Sequence, residues 1–489
     1  MSAILKTVGV SDNLNSFRSI LIDSNRFPVL RIFNKTILNL FNRITVFFIE
    51  RHRLVKQVFI VGSAAGKDFC PFLSDLDLFI ILRDCPAGEK LKTLENFVKY
   101  YHIVAKINPF IADFSQPIIF EDDVESYHRF WYFYHDISHG RALNNAKFLT
   151  KFPHGKTNFL IMANWDRALN WYIPQCRFFY NKKLPLYSRH HNIPSKVAFF
   201  SNRVQTFCAL PGETFSCQDF VNLTSSEYSG QNKKTSENYK KSYATQVDDL
   251  IRSFLWIQQS ATSIKKRLSP LDGITYEDPP YIQNNETLYH SLPTLLDLKD
   301  IPVVLSLGNM LFIFISTKID EKRLRQCFMA IETVLKRLPA SEIRIFPVNV
   351  LPFFYRFYQT VIVHCDSEEY LKPDTSYLKY LILVRSVFAQ GSLMNTLSRR
   401  PDASKQLSIL AMDFLRIKLT LEARRFALQP DTLLKIVEEN RKYFSPKLED
   451  IADKLLENSA EDNFLDKNTL YDMTDRLRED NFRIIQSCI

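Results

Sequence analysis

The stretch from Leu54 to Arg83, LVKQVFIVGSAAGKDFCPFLSDLDLFIILR, decides the fold of the N-terminal part of the chain. Its first apolar run, Val58–Val61, has the length and the β-branched content of a buried strand. That run stops at Gly62-Ser63, where the chain can turn tightly into a short helix. A second apolar run, Leu78–Leu82, follows after a spacer. The stretch therefore predicts two buried strands joined by a turn and a short helical connection.

Two carboxylates, Asp75 and Asp77, stand at the start of the second strand. Because side chains alternate across a strand, both point to one face, and Leu76 points to the other. Two like charges at the start of a buried strand repel each other and lose solvation. A divalent cation removes both penalties, and carboxylate oxygens are ligands that Mg²⁺ prefers. The pattern therefore indicates a metal site.

An apolar strand, Gly62-Ser63, a spacer and then Asp75-Leu76-Asp77 in a second strand resemble the signature of the nucleotidyltransferase-fold, or DNA polymerase β-like, superfamily. The resemblance covers about residues 40–145 of the sequence. It implies an enzyme that moves a nucleoside monophosphate from a nucleoside triphosphate (NTP) to an acceptor, with two Mg²⁺ ions as cofactors. It does not identify a subfamily.

The resemblance also implies a third carboxylate on a neighbouring strand, facing Asp75 and Asp77. Asp113 is the candidate, because it is the one acid in the strand-like run Phe110–Phe114. In that role it is a metal ligand and takes the proton from the acceptor hydroxyl. The substitute candidate is the cluster Glu121-Asp122-Asp123, which is more typical of the acidic first turn of the next helix.

The nucleotide-binding side chains that the resemblance implies surround the turn. Gly62 allows phosphate to approach the backbone, because a Cβ there would intrude. Ser63 offers its hydroxyl and backbone N–H groups to the β- and γ-phosphates. Ser74 and Lys67 are further candidates, although a solvated lysine is the alternative for Lys67. The NTP is a substrate, and ATP is the favoured nucleotide.

The same turn superficially resembles a P-loop, because Gly66-Lys67 follows Gly62. The Walker pattern requires four residues between its glycines and a Ser or Thr after the lysine to hold Mg²⁺. Here the spacing is shorter, and Asp68 follows Lys67. The sequence therefore excludes a P-loop.

Composition sets the remaining bounds. The chain has 489 residues and a formal net charge of +10, a mild surplus that favours polyanionic ligands only weakly. Its eight cysteines form no Cys-x-x-Cys pair, so a zinc site or a disulfide framework is not expected. The sequence shows neither a signal peptide nor an apolar run of about 20 residues. We therefore expect a cytoplasmic protein with no membrane partner, and the oligomeric state is left open.

The helices around the two strands are predicted from apolar periodicity. Residues 35–53 carry a helical stripe that we expect to pack beside the first strand. Its members are Ile37, Leu38, Leu40, Phe41, Ile44, Phe47 and Phe48. Glu89–Tyr101 is predicted to be a connecting helix, and Ile103–Ala105 a further strand. Arg141, at the end of the next predicted helix, is either a C-terminal cap or a phosphate contact.

The fold class that follows is α+β. It comprises a nucleotidyltransferase-like N-terminal domain with a small mixed sheet and flanking helices, a helical middle, a smaller α/β region and a C-terminal helical bundle. The predicted boundaries are 1–145 for the catalytic domain, 146–270 for the helical region with a flexible polar segment at 224–245, 271–370 for the second α/β region, and 371–489 for the C-terminal helical domain. The C-terminal helices are predicted at Tyr377–Phe388, Lys405–Phe426, Pro430–Tyr443 and Asn468–Ile485.

Several functions remain open at this point. The favoured acceptor is a hydroxyl of a small molecule or a protein. An RNA or tRNA acceptor is the alternative, and lysines and tyrosines in the segment 224–245 point to it. A domain that binds a partner without catalysis is the third possibility. His364-Cys365-Asp366 has the composition of Cys–His chemistry, but adjacent strand residues face opposite ways.

Overall fold

The structure is a computed structural model of the whole chain. The residues that it describes are 20–21, 24–25, 27–61, 71–72, 76–108, 118–123, 141–142, 154–180, 193–216, 243–269, 274–276, 281–283, 292, 298–335, 342–353, 359–372, 377–385, 425–426, 435, 437–438, 441–444 and 446–458.

A small mixed sheet forms the centre of the N-terminal part. Its strands are β1 (Val55–Val61), β2 (Asp77–Leu82), β3 (Ile118–Phe120) and β4 (Arg141–Ala142), in the spatial order β3-β2-β1-β4. β1 runs antiparallel to both β2 and β4, whereas β2 and β3 are parallel. The two strands that the apolar runs predict are therefore confirmed, and they pair directly with each other.

Two helices cover one face of this sheet: α1 (Pro28–Glu50) and α2 (Ala87–Ile107). Val46 and Ile49 of α1 and Phe97 of α2 pack against Leu78 and Ile80 of β2 in one buried cluster. Because side chains alternate along β2, the residues that reach this core are the ones that point away from the face of Asp77.

The apolar stripe predicted for the first helix does not pack as expected. Leu40, Phe47 and Phe48 are exposed. The buried positions of α1 are Asn34, Leu38, Asn42, Thr45, Val46 and Ile49. The helix itself is confirmed, but three of its inward positions are polar, and apolar periodicity alone therefore indicated the wrong face.

The predicted strand at Ile103–Ala105 is wrong, because these residues belong to α2. Leu94, Phe97, Tyr101 and Val104 are all buried, at intervals of three and four residues. This is the helical period, and it carries the helix past the short β-branched run.

The second part of the chain combines three long helices with a five-stranded sheet. The helices are α3 (Thr157–Tyr180), α4 (Ile193–Ala209) and α5 (Tyr243–Arg267), preceded and joined by the short strands β5 (His154–Lys156) and β6 (Thr214–Ser216). The sheet contains β8 (Tyr281–Gln283), β9 (Val303–Leu307), β10 (Met310–Ile315), β11 (Glu342–Pro347) and β12 (Thr360–Cys365), in the order β11-β10-β9-β12-β8. α6 (Glu321–Leu335) connects β10 to the parallel strand β11.

One hydrophobic core joins the helices and the sheet of this second part. For example, the Tyr172 hydroxyl of α3 donates to the carbonyl oxygen of Ile345 in β11 at 2.6 Å. The apolar runs Val303–Leu307 and Met310–Ser316 around Gly308-Asn309 predict a hairpin turn. The antiparallel pairing of β9 with β10 confirms it, and Gly308 adopts a φ of 56°, which glycine tolerates well. The α+β class is therefore confirmed.

The C-terminal part is described at fewer positions. Residues 378–385 are helical, and α7 (Pro446–Asn458) is a helix that the sequence did not predict. The predicted helix Lys405–Phe426 is wrong at its end, because Arg425–Phe426 pairs as a short strand, β13, with Thr275–Tyr276, β7. Within the described ranges, no helix combines the length and the apolar content that a membrane crossing requires.

Candidate active site

The pairing of β1 with β2 brings two parts of the predicted site to one edge of the sheet. Val61, the residue immediately before Gly62, pairs with Asp77 across the antiparallel ladder. Asp77 is half-buried, whereas every other residue of β2 is buried. Because directly paired residues lie about 4.5–5.5 Å apart, the end of β1, the residue directly before Gly62, lies beside Asp77.

Asp77 lies on the face of β2 that α1 and α2 do not cover. Its neighbour on that face, Phe79, pairs with Phe59 of β1, and the centroids of the two rings are 6.2 Å apart. Both rings are buried. Asp77 therefore stands at the end of an apolar patch on this face of β2.

The substitute candidate Asp122 is excluded by the parallel pairing of β2 with β3. Phe120 pairs with Leu82 at the far end of β2, about 17 Å along the strand from Asp77. Asp122 follows Phe120 in a short 3-10 turn, so it lies at the opposite edge of the sheet. There its carboxylate binds the buried Lys90 Nζ at 2.6 Å. Glu121–Asp123, predicted to be the first turn of a helix, forms this 3-10 turn.

The far edge is a structural charge cluster. Asp84 accepts a hydrogen bond from the backbone N–H of Asp122 at 2.8 Å, and Lys56 approaches Glu121 at 3.4 Å. Burial raises the pKa of the Asp84 carboxyl, and the charges of Asp122 and Glu121 raise this pKa further. These acids already form hydrogen bonds and ion pairs with one another and with lysines. They are therefore suited to holding β3 in place rather than to binding phosphate.

Arg141 lies in a strand. It belongs to β4 and pairs with Ile60, one residue before the end of β1. The predicted helix that Arg141 was expected to follow lies outside the described residues. The pairing places its backbone near the same sheet edge as Asp77.

Of the predicted site residues, Asp77 alone is among those that the structure describes. The others lie outside the described residues: Gly62, Ser63, Lys67, Ser74, Asp75 and Asp113. Among the described side chains, no group of three or more His, Cys, Asp or Glu residues is arranged to hold a metal ion. Two of the three predicted carboxylates, Asp75 and Asp113, are not among these described side chains.

Sequence reasoning missed a buried polar connection from the start of α1 to the segment before Asp75. The Asn25 side chain donates to the carbonyl oxygen of Pro71 at 2.7 Å, and Asn34 donates to the Asn25 side-chain oxygen at 3.0 Å. Phe72 is buried with a φ of 64°, a left-handed conformation that costs a non-glycine residue about 1–2 kcal/mol. Buried contacts therefore hold the chain in one conformation just ahead of Ser74 and Asp75.

A second connection of the same kind leads towards Asp113. Asn108 follows α2 directly, is fully buried, and donates to the Asn42 side-chain oxygen of α1 at 3.0 Å. Asn42 of α1 thus contacts Asn108, shortly before Asp113, and Asn34 reaches Pro71, shortly before Asp75, through Asn25. The available signal was the recurrence of Asn34 and Asn42 within an otherwise apolar helix, because such residues face inward only with partners.

We expect Asn25→Ala to lower the free energy of unfolding by about 1–3 kcal/mol, because the Pro71 carbonyl and the Asn34 amide lose a buried partner. Urea unfolding followed by circular dichroism measures the change. Asn39→Ala is the control, since Asn39 is an exposed asparagine of α1, the helix that the Asn25 side chain contacts. Its change is expected to stay within about 0.5 kcal/mol. Equal losses in both variants would contradict the buried connection.

The His364-Cys365-Asp366 cluster is not a nucleophile site. The imidazole Nε2 of His364 lies 2.8 Å from the Asp366 carboxylate, and the Cys365 thiol donates to the carbonyl oxygen of Ser367 at 3.0 Å. Burial raises the pKa of the Cys365 thiol, and the neighbouring charges of Asp366 and Glu368 raise this pKa further. An activated cysteine needs the opposite shift.

The described elements of the N-terminal part form a small α+β unit in which Asp77, at the start of β2, lies beside the end of β1. A sequence model of the nucleotidyltransferase domain matches residues 43–138. The chain therefore contains a nucleotidyltransferase domain, and the resemblance that the Gly-Ser and Asp-x-Asp pattern indicated is confirmed for this part of the chain. Comparisons with the curated proteins and with the solved structures find no match.

Proposed function

We propose that the chain is a Mg²⁺-dependent nucleotidyltransferase that moves a nucleoside monophosphate from an NTP to a hydroxyl of a small molecule or a protein and releases pyrophosphate. The observation that carries this proposal is the pairing of Val61 with Asp77. It brings the start of the Gly62-Ser63 turn beside a carboxylate within a domain that matches the nucleotidyltransferase family.

The donor set fits Mg²⁺. Asp75 and Asp77 supply hard carboxylate oxygens on alternate residues of one strand, and Asp113 supplies a third. The parallel register supports this assignment, because Ile80 pairs with Ile118. Asp75 precedes Ile80 by the same number of residues as Asp113 precedes Ile118. If the parallel pairing extends back to these positions, the two carboxylates stand on neighbouring strands at the edge that Asp77 occupies.

Each side chain then has a defined task. Gly62 and Ser63 bind the phosphates through the backbone and the hydroxyl, with Ser74 and Lys67 as further contacts. Asp75 and Asp77 hold the metal ions, which, when bound, polarise the phosphoryl oxygens and neutralise the leaving pyrophosphate. Asp113 orients the acceptor hydroxyl and takes its proton as the new bond to the α-phosphorus forms.

The direct test is incubation of the purified chain with each labelled NTP, Mg²⁺ and a cell extract. Transfer of label to a metabolite or a protein band supports the proposal. Label on RNA selects the alternative acceptor, which the formal charge of +10 and the lysines of the segment 224–245 favour. If no NTP transfers label while the chain still binds NTP, the domain is a binding module without catalysis.

Gly62→Val is expected to weaken NTP binding by about tenfold or more, which corresponds to at least about 1.4 kcal/mol. The reason is that a branched side chain fills the space where phosphate approaches the backbone. Isothermal titration calorimetry with the NTP and Mg²⁺ measures this affinity. Gly66→Val in the same connection is the control, and its affinity is expected to stay within about threefold. An equal loss at Gly66 would favour the rejected P-loop instead.

A further inference from the structure

The outward face of α1 carries a row of exposed apolar side chains that forms an apolar ridge. Val29, Phe33, Leu40 and Phe47 recur at intervals of four and seven residues, so they share one side of the helix. Their exposed fractions are 78%, 59%, 58% and 48%. The ridge is about 27 Å long at the helical rise. Contiguous exposed apolar surface of this kind marks an interaction site rather than scattered surface residues.

Basic residues accompany the ridge. Arg31, Lys35, Arg43, Arg51 and Arg53 are all exposed. Between residues 28 and 53 the sequence contains a single acid, Glu50, which is only half-exposed. This segment therefore presents apolar side chains and positive charge together, with almost no negative charge to offset it.

Two contacts connect the ridge with a basic side chain, Arg51, and with the neighbouring helix α2. The guanidinium carbon of Arg51 lies 4.1 Å from the centroid of the Phe47 ring, which places a cation at the end of the ridge. The Tyr100 hydroxyl of α2 donates to the carbonyl oxygen of Phe48 at 2.7 Å. One turn beyond Tyr100 on α2, Ile103 is a further exposed apolar residue, at 62%.

We propose that α1 docks on the surface of an anionic membrane, lying in the plane of the interface with Phe33 and Leu40 inserted at the headgroup boundary. An apolar face with aromatic and aliphatic side chains and basic flanks is the composition that such interfacial helices share. Anionic headgroups supply the negative charge that the segment 28–53 lacks. This role is independent of nucleotide transfer, and it replaces the expectation of no membrane partner.

The basic and apolar side chains of α1 together disfavour two other partners for the ridge, a second copy of the chain and a nucleic acid. A second copy of the chain would bring the same basic residues together across the contact, and like charges at an interface oppose association. A nucleic acid would satisfy the charges but would leave Val29, Phe33 and Leu40 without an apolar partner. A lipid surface matches both properties at once.

The test is co-sedimentation of the full chain with vesicles of phosphatidylcholine alone or with about 30% phosphatidylserine. We expect binding to the mixed vesicles only, and weaker binding as the salt concentration rises. Failure to bind the mixed vesicles, or equal binding to both vesicle types, overturns the proposal.

Phe33→Ser with Leu40→Ser is expected to weaken vesicle binding by tenfold or more with an unchanged melting temperature, since both side chains are exposed. Met329→Ser is the matched control, because Met329 is an exposed apolar residue (56%) on α6 in the second core. It should bind as the unmodified chain does. Vesicle binding by the double variant that equals that of the unmodified chain overturns the membrane proposal. So does a chain that does not bind vesicles but forms a dimer in light scattering, if the double variant abolishes that dimer.

Discussion

Asp77→Asn is expected to abolish nucleotide transfer while the fold stays intact. A metal-held carboxylate contributes several kcal/mol of transition-state stabilisation. Each 1.36 kcal/mol corresponds to a factor of ten in rate, so turnover should fall about 10³-fold or more. The melting temperature should stay unchanged or rise, because the substitution removes one of two like charges at the strand start. Single-turnover transfer of labelled nucleotide and a thermal melt measure the two quantities.

Asp84→Asn is the control for this variant. It makes the same chemical change just beyond the other end of β2, where Asp84 accepts a backbone hydrogen bond from Asp122. Its turnover should match that of the unmodified chain. If Asp77→Asn retained near-normal turnover with a normal melt, the metal assignment at this edge would be wrong, whatever the family match.

Asp113→Asn is expected to separate binding from chemistry. In the proposed site, the Gly62-Ser63 turn and the ions at Asp75 and Asp77 bind most of the NTP, so its affinity should change little. Loss of a general base lowers the rate by about 10²–10⁴-fold. The rate should also lose the decline at acidic pH that protonation of this carboxylate causes. Calorimetry with the NTP measures the affinity, and a pH–rate profile measures the fall in rate and the loss of its acidic decline.

Asp122→Asn distinguishes this assignment from the earlier substitute. Asp122 pairs with the buried Lys90 at the far edge of the sheet. Its removal leaves a buried ammonium without this partner, so stability should fall while turnover persists. The opposite pattern, with lost turnover in Asp122→Asn and normal turnover in Asp113→Asn, would place the third carboxylate on the 3-10 turn and contradict the register argument.

The local elements were predictable from the sequence because their causes are local. A buried strand needs a short β-branched run, and both Val58–Val61 and Leu78–Leu82 lie within observed strands. The hairpin at Gly308 followed in the same way from a glycine between two apolar runs. The family resemblance rested on residues within one stretch of chain, and that stretch lies inside the matched range 43–138.

Tertiary packing decided the features that depend on which face of an element points inward. α1 buries Asn34 and Asn42 and exposes Leu40, because hydrogen bonds to Asn25 and Asn108 compensate the polar groups once the chain has folded. No pattern within one helix reveals partners that lie in other segments. The exclusion of Asp122 had the same origin, since only the parallel register of β2 and β3 shows at which edge a residue after a strand stands. The sequence by itself therefore determined the two strands and supplied the candidate carboxylates, whereas the tertiary structure decided at which ends of the sheet Asp77 and Asp122 stand and which face of α1 is exposed.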